Sequence, residues 1–194
     1  LYVFALDSNT GNLHIYARDD VSGVLTHINL VAVAADAFDM RMSIDGTQLL
    51  IVGRISSGIR IYSFNAGALV QIGTHALGAN PQEFIVSPND ANVYCTNYAD
   101  NTITSFLRST ITGALTVANG SPFTSSNAGS SPTALAITST GDYLLAINDT
   151  TNLLSVFDAR VVLPAPLLSG IFDPTQTTAA GSINVNGTFT IKGA

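Results

Sequence analysis

Short apolar runs alternate with polar turns along the whole chain, and the clearest set lies between Pro81 and Phe123. Each run has the length of a strand, and each break is rich in Asn, Asp, Gly, Ser or Pro, as in a meander of antiparallel strands. Residues 84–86 and 144–147 are apolar at consecutive positions, which indicates strands that are covered on both faces. The pattern therefore predicts an all-β protein.

Two landmarks repeat along the chain at intervals of roughly 45 residues. The first is the polar residue before a tight turn: Ser43, Ser87, Thr138 and Asn184. The second is the aromatic residue that closes the third run of each unit: Tyr16, Tyr62, Phe106 and Phe157. A period of this length with four strands is typical of a β-propeller blade.

The repeat predicts a β-propeller of four-stranded antiparallel blades, with about four blade units in a single domain. The strands of a unit are named A to D from the axis outward. The predicted units are residues 1–36, 37–81, 82–131 and 132–180, with a final partial unit at 181–194. Strand D is predicted at 24–28, at 68–72 and near residue 167 in the first, second and fourth units. The final unit is predicted to hold a strand A at 182–184 and a strand B at 189–192.

Composition narrows the classes of partner. Hydrophobic residues make up 46% of the chain and charged residues only 10%, with a formal net charge of -6. Without a basic cluster, no nucleic-acid partner is expected. No apolar run reaches the roughly 18 residues of a membrane span. The surface is rich in Ser, Thr, Asn and Gly, which favours an extracytoplasmic protein, either secreted, periplasmic or on the cell surface.

Four motifs carry a resemblance to a known family: Val-Ser-Pro-Asn-Asp at 86–90, Val-Tyr-Cys-Thr-Asn-Tyr-Ala-Asp-Asn-Thr-Ile at 93–103, Thr-Gly-Ala-Leu-Thr at 112–116 and Gly-Ser-Pro-Phe at 120–123. They resemble the blade repeat of the lactonase-type (6-phosphogluconolactonase-like) seven-bladed propellers and their YVTN-repeat relatives. The resemblance implies a propeller fold. It also implies two kinds of function, because some members are 6-phosphogluconolactonases or muconate-cyclising enzymes and others are binding modules.

Seven blades of this size need over roughly 300 residues, and this chain has 194. Three arrangements are open: a fragment of a longer propeller, pairing with blades of a second chain, or closure as a four-bladed ring. The chain opens in mid-pattern at Leu1, which suggests that its start, with any targeting segment, is missing.

Candidate binding residues lie where a propeller gathers its loops, at the mouth of the channel. The predicted B–C loops are 7–12, 54–57, 98–101 and 149–152, and the predicted D–A connections include 29–36, 73–80 and 119–131. The candidates on this face or in the channel are Arg41, Arg54, His75, Gln82, Tyr98, Asp100 and Asp149. The alternative is that the acids and amides of these loops only make turns by bonding their own backbone.

Arg41 is unusual because it is a charged residue within a predicted strand A. Asp39 lies two residues away and shares its face, so Arg41 is expected to pair with Asp39 or with Glu83 of the next unit. An ion pair between blades and an anion-binding arginine in the channel are both open interpretations.

No catalytic residue can be carried over from the family. The resemblance implies a histidine after the proline that opens strand A, and this chain has Gln82 and Thr133 there. His14 and His27 fall in strands C and D, His75 falls in a connection, and no His or Cys pair has metal-binding spacing. The single cysteine, Cys95, is expected to be a buried, inert thiol. No cofactor or metal is predicted.

The function that this sequence favours is a binding or structural module. Its loop face or its blade edges would contact a protein, a glycan or other copies of the chain. The alternative is a lactonase-type hydrolase acting on a sugar-acid lactone, or a muconate-type cyclase, and whether the protein is an enzyme stays open.

Overall fold

The computed structural model describes residues 1–125, 130–160 and 168–171, and every regular element in these ranges is a β-strand. The first sheet contains β1 (Tyr2–Asp7), β2 (Asn12–Arg18) and β3 (Leu25–Ala32). The second contains β4 (Ala37–Met42), β5 (Gln48–Gly53), β6 (Gly58–Asn65) and β7 (Ala68–Ala76). The predicted all-β class is confirmed.

The third sheet contains β8 (Pro81–Val86), β9 (Asn92–Asn97), β10 (Thr102–Arg108) and β11 (Leu115–Val117), and β12 (Phe123–Thr124) also pairs with β10. The fourth contains β13 (Pro132–Ile137), β14 (Tyr143–Asn148), β15 (Leu153–Asp158) and β16 (Leu168–Ile171). Neighbouring strands within each sheet pair antiparallel. The edge strands β4, β8 and β13 contact one another in that order, so successive sheets meet along their first strands.

Apolar cores fill the spaces between neighbouring sheets. Leu49 and Ile51 of β5 pack against the first sheet, and Leu50 and Val52 pack against the third. This division follows from the two-residue period of a strand, which sends alternate side chains to opposite faces. All six residues of β5 are buried, and each fully buried Leu or Ile contributes roughly 1.5–3 kcal/mol. Burial on both faces thus explains the consecutive apolar residues of β5, whereas the run predicted to be covered at 144–147 is covered only in part, since Ile147 is 54% exposed.

The first landmark of the repeat has the same role in three sheets. The hydroxyls of Ser43 and Ser87 donate to Asp45 Oδ1 and Asn89 Oδ1, both at 2.6 Å. Each hydroxyl also accepts the backbone N–H five residues later at 2.9 Å, and Thr138 accepts its equivalent at 3.1 Å. The bond from Ser43 is the main cause that lowers the pKa of Asp45 to about 2, and the backbone N–H and the hydroxyl of Thr47, which also donate to Asp45, act in the same direction. A side chain therefore closes each tight turn.

Strands β3 and β7 are longer than the sequence predicts, since they end at Ala32 and Ala76 instead of residues 28 and 72. Each contains a β-bulge. The bulge of β3 lies opposite the step from Ile15 to Tyr16 of β2, and the bulge of β7 lies opposite the step from Ile61 to Tyr62 of β6. The extra residue lets the strand stay paired after its alternation breaks. The predicted connections at 29–36 and 73–80 are correspondingly too long.

The later connections differ from prediction as well. β12 forms inside the predicted connection 119–131, because buried Phe123 pairs with β10. The last strand of the fourth sheet is β16, close to the predicted strand near residue 167. The strands predicted at 182–184 and 189–192 lie outside the described residues. The unit boundaries and the single-domain assignment stay predictions.

Gly11 closes the loop between β1 and β2 with a φ of 68°. A Cβ at this position would lie 2.1 Å from the backbone oxygen of Ala34. Gly46 has a similar φ of 70°, but its added Cβ would meet nothing within 4 Å. We expect Gly46→Ala to lower the free energy of unfolding by about 1–2 kcal/mol through its backbone conformation alone. Gly11→Ala should cost about 2 kcal/mol more, because a backbone atom must move.

Urea unfolding of the two variants, followed by circular dichroism, measures this difference. Equal losses for the two variants would contradict the close approach of Ala34 to Gly11.

Candidate functional site

The loops after β5, β9 and β14 and the connections before β4, β8 and β13 lie at the same end of their sheets. Backbone hydrogen bonds of 3.1 Å join them, such as Arg54 N–H to Asp36 O and Tyr98 N–H to Asn80 O. Asp149 N–H donates to Ser131 O in the same way. This loop end is the face on which the sequence places a binding site.

β4 and β8 hold three charged side chains, here called the inner-strand cluster: Asp39 and Glu83, each the third residue of its strand from the loop end, and Arg41, two residues further along β4. Arg41 Nη1 donates to Asp39 Oδ1 at 2.6 Å and to the backbone oxygen of Met40 at 3.0 Å. The Arg41 guanidinium also lies over the Phe84 ring, 5.4 Å from its centroid. Both charged side chains keep contact with solvent, since 41% of Arg41 and 22% of Asp39 is exposed. The cluster is thus ordered and reachable from water.

Backbone irregularities explain how the cluster is aimed. β4 shifts register against β5 between Ala37 and Asp39, which leaves Phe38 unpaired, and Asp39 shares a face with Arg41 because the two are two residues apart in the regular part of the strand. β8 shifts register against β9 between Pro81 and Phe84. Bulges of this kind redirect side chains at the end of a strand.

Glu83 links two sheets as well as belonging to the cluster. Its Oε2 accepts the backbone N–H of Leu135 on β13 at 2.8 Å. Because β13 belongs to the next sheet, this single carboxylate fixes the approach of the two first strands. Glu83 is the only glutamate of the chain.

Asp39 is the titratable group that the cluster perturbs most clearly. Burial raises the pKa of the Asp39 carboxyl above its ordinary 3.8, although Arg41 and the Met40 N–H act in the opposite direction. The negative charge of Glu83 raises this pKa further. The Asp39 carboxylate is therefore a stronger base than an ordinary aspartate.

Cys95 is buried, and burial is the main cause that raises the pKa of its thiol, followed by the charges of Asp39 and Glu83. The predicted inert thiol agrees with this environment, because a thiol nucleophile requires a lowered pKa.

Of the predicted site residues, Arg41 joins the cluster and Gln82 lies next to it. The predicted pairing of Arg41 with Asp39 is confirmed, but both residues lie on one strand, so the expected ion pair between blades is wrong. Gln82 Nε2 donates to Asn80 Oδ1 at 2.9 Å. This hydrogen bond holds the Gln82 side chain at the start of β8, next to Glu83 in the chain.

The other predicted residues each have a separate local partner. Arg54 stacks its guanidinium 4.6 Å from the centroid of the Phe38 ring. Asp100 Oδ2 accepts the Ala79 N–H at 2.7 Å, which fits the turn-forming alternative. Tyr98 and Asp149 are bonded through their backbones as described above.

The assignment of His75 to a connection is wrong. It lies in β7, where its ring centroid is 5.5 Å from that of Phe106. The bulge of β7 extends the strand past this residue.

Sequence reasoning treated Asp39 and Glu83 only as ion-pair partners and missed them as members of the site. The signal was present, because both are acids within strands that are mostly apolar. Among the described residues, no group of three or more His, Cys, Asp or Glu side chains is arranged to hold a metal ion. The described part also contains no helix of the length and hydropathy that a membrane crossing needs.

The sequence pattern of the family described as lactonase, 7-bladed beta-propeller matches residues 30–127, just over half of the 194-residue chain. No curated protein sequence matches this chain significantly. Many solved structures do resemble it in fold.

Three of these structures illustrate the likeness. The periplasmic gluconolactonase PpgL of Pseudomonas aeruginosa is 19% identical with a TM-score of 0.74, and the match covers 87% of this chain and 50% of that one. A candidate 6-phosphogluconolactonase of Bacteroides uniformis is 20% identical with a TM-score of 0.70, covering 87% and 54%. Sqt1 of Saccharomyces cerevisiae is 11% identical with a TM-score of 0.68, covering 90% and 49%.

The chain thus spans about half the length of the structures it matches. At such low identities the likeness concerns the fold alone, and the predicted propeller fold is confirmed.

Proposed function

Because the chain belongs to the family described as lactonase, 7-bladed beta-propeller, we propose that it opens a sugar-acid lactone at the inner-strand cluster. The observation that carries the proposal is the contact of Arg41 with Asp39, an acid whose pKa is raised by burial. Hydrolysis of a cyclic ester needs a group that accepts a proton and a cation that stabilises an oxyanion. Asp39 and Arg41 supply these two groups side by side.

The proposed reaction begins with a water molecule whose proton passes to the Asp39 carboxylate. The water oxygen bonds to the lactone carbonyl carbon, and the carbonyl oxygen takes the negative charge beside the Arg41 guanidinium. The ring carbon–oxygen bond then breaks, and Asp39 returns the proton to the leaving ring oxygen. One lactone and one water give one hydroxy acid, and Asp39 ends in its starting state.

Glu83 has a positioning role in this proposal. Its bond to the Leu135 N–H fixes β8 against β13, and its charge helps to raise the pKa of Asp39. A general base works best when its pKa approaches the working pH, so the direction of this shift suits the reaction.

A second candidate function is a binding module, as the sequence favours. The observation that supports it is the apolar exposure of the outer strands β3 and β7, where Ile28, Leu30, Val70 and Ile72 are each at least 42% exposed. Contact with a protein or glycan, self-association through sheet edges and an extracytoplasmic location remain proposals on this basis. A muconate-type cyclase is the third candidate, and the assay below tests it with a separate substrate.

Turnover of 6-phosphogluconolactone, compared with its spontaneous hydrolysis, tests the proposal. We expect the chain to accelerate ring opening, and muconolactone serves as the comparison substrate for cyclase chemistry. Arg41→Gln should lower kcat and kcat/KM for the phosphorylated lactone about 10–100-fold with little change in KM, because the oxyanion loses one charge-assisted hydrogen bond.

Arg18→Gln is the matched control, since Arg18 is an exposed arginine at the end of β2. Absence of turnover in the unaltered protein would overturn the enzymatic proposal and leave the binding module. Equal effects of the two substitutions would remove Arg41 from the site.

A further inference from the structure

Two histidines of the first sheet hold their ring nitrogens close together. His14 Nδ1 on β2 and His27 Nε2 on β3 are 3.4 Å apart. The two residues are 13 positions apart in the chain, so their spacing gives no sign of a shared site. This pair lies on a different sheet from the inner-strand cluster and has no part in the function proposed above.

The β-bulge in β3 brings the histidines to one face. Asn29 lies opposite Ile15 and His27 lies opposite Tyr16, which leaves Ile28 as the extra residue. Residues that are opposite in neighbouring strands share a face, and so do residues two apart in one strand. His27 therefore shares the face of Tyr16 and of His14.

The separation of the nitrogens matches a metal chelate. A zinc ion held by two imidazoles at about 2.05 Å with a tetrahedral angle of about 110° sets their nitrogens about 3.4 Å apart. We propose that His14 and His27 form a two-histidine site for Zn²⁺ between β2 and β3. In the structure the two nitrogens form a hydrogen bond with each other, so the zinc ion takes the place of the shared proton, and both rings turn until their lone pairs converge on the ion.

The surroundings of the pair favour a cation. Asp7 lies opposite Asn12, which places it on the same face as His14 and two positions along. Hydrogen bonds from Thr10 and Asn9 are the main causes that lower the pKa of Asp7, and its attraction to His14 adds to them. The carboxylate therefore stays charged near the site without being one of its ligands.

Tyr16 limits the movement of the second histidine. Its ring meets the His27 ring edge-on, with centroids 5.1 Å apart, and stacks near His14 at 6.4 Å. A ring that its neighbours already hold in place loses less conformational entropy when it binds an ion. His27 is exposed, so water fills the coordination positions that the two histidines leave open.

The second sheet shows that the bulge alone does not make a metal site. β7 carries the same bulge against β6, and the equivalent positions are occupied by Arg60 and Gln71. The scaffold is thus repeated, whereas the pair of imidazoles belongs to the first sheet.

Calorimetric titration of the protein, free of any histidine tag, with zinc chloride tests the proposal. We expect one Zn²⁺ per chain, and His14→Gln or His27→Gln should each weaken binding at least about tenfold. His75→Gln is the matched control, because His75 packs against Phe106 in another sheet, and its zinc affinity should equal that of the unaltered protein.

Imidazole NMR resonances of the unaltered protein give a second readout that needs no variant. Zinc should shift the resonances of His14 and His27 and leave those of His75 in place. Failure to bind zinc at millimolar concentration, or an equal loss of affinity in His75→Gln, would overturn the proposal.

Discussion

Arg108→Ala is expected to lower the free energy of unfolding by about 3–5 kcal/mol, the cost of removing one partner from a buried ion pair. The Arg108 side chain is 2% exposed and forms an ion pair with Asp90 at the end of the sheets opposite the loop end. Its Nη1 also donates to the Asp90 backbone oxygen at 3.2 Å. The substitution would leave the Asp90 charge buried without a partner.

The same guanidinium joins the second and third sheets. Arg108 Nη2 donates to Gln48 Oε1 at 2.6 Å, and Gln48 Nε2 donates to Thr112 O at 2.8 Å. Loss of Arg108 therefore removes hydrogen bonds between two blades as well as within one. The effect should appear as a lower midpoint in urea and a lower Tm.

Arg18→Ala is the control, because replacing an exposed arginine should change the free energy of unfolding by no more than about 0.5 kcal/mol.

A double variant separates the effect of the charge pair on stability from the effect of side-chain packing. Arg108→Met with Asp90→Asn keeps most of the volume and removes both charges, and we expect it to recover most of the loss. A double variant as unstable as Arg108→Ala would show that the stabilisation does not arise from the charge pair.

The repeat was readable from the sequence because it is local. The polar residue before each turn, such as Ser43 or Ser87, closes that turn with its own side chain, so the pattern and the structure coincide. The consecutive apolar residues at 84–86 likewise predicted a strand covered on both faces, and Phe84 is buried while Ile85 and Val86 are partly buried. Both inferences depend on local features: a hydrogen bond within a few residues in the first case, and burial of whole strand faces in the second.

What the sequence did not predict depends on contacts between distant residues. Nothing near Arg108 indicates that Gln48, 60 positions away, accepts its hydrogen bond. The bulges in β3 and β7 break the alternation inside each strand, so the sequence pattern ended these strands too early and placed His75 in a connection.

The candidate site shows the same division. The pairing of Arg41 with Asp39 follows from strand period and was predicted. The hydrogen bond of Glu83 to Leu135 forms only where two sheets meet. The same is true of the effect of the Glu83 charge on the pKa of Asp39.

Asp39→Asn is expected to lower kcat/KM for lactone opening about 10²–10⁴-fold, the range for loss of a general base. The amide has the size of the carboxylate, and its oxygen can still accept from Met40 N–H and Arg41 Nη1. The fold and the position of Arg41 should therefore persist, which a thermal melt checks. Asp100→Asn is the matched control, since its carboxylate accepts a loop N–H and should leave turnover unchanged.

The pH profile distinguishes a base from a merely structural acid. Asp39 accepts a proton only above its pKa, which burial raises above 3.8, so kcat/KM of the unaltered protein should fall as the pH drops through that value. After subtraction of spontaneous hydrolysis, the small residual rate of Asp39→Asn should lack this limb, because its amide does not titrate. A residual rate that keeps the limb, or a variant as active as the unaltered protein, would assign the proton transfer to another group. Loss of turnover with an unchanged melt and a flattened profile, by contrast, follows only if this carboxylate handles the proton.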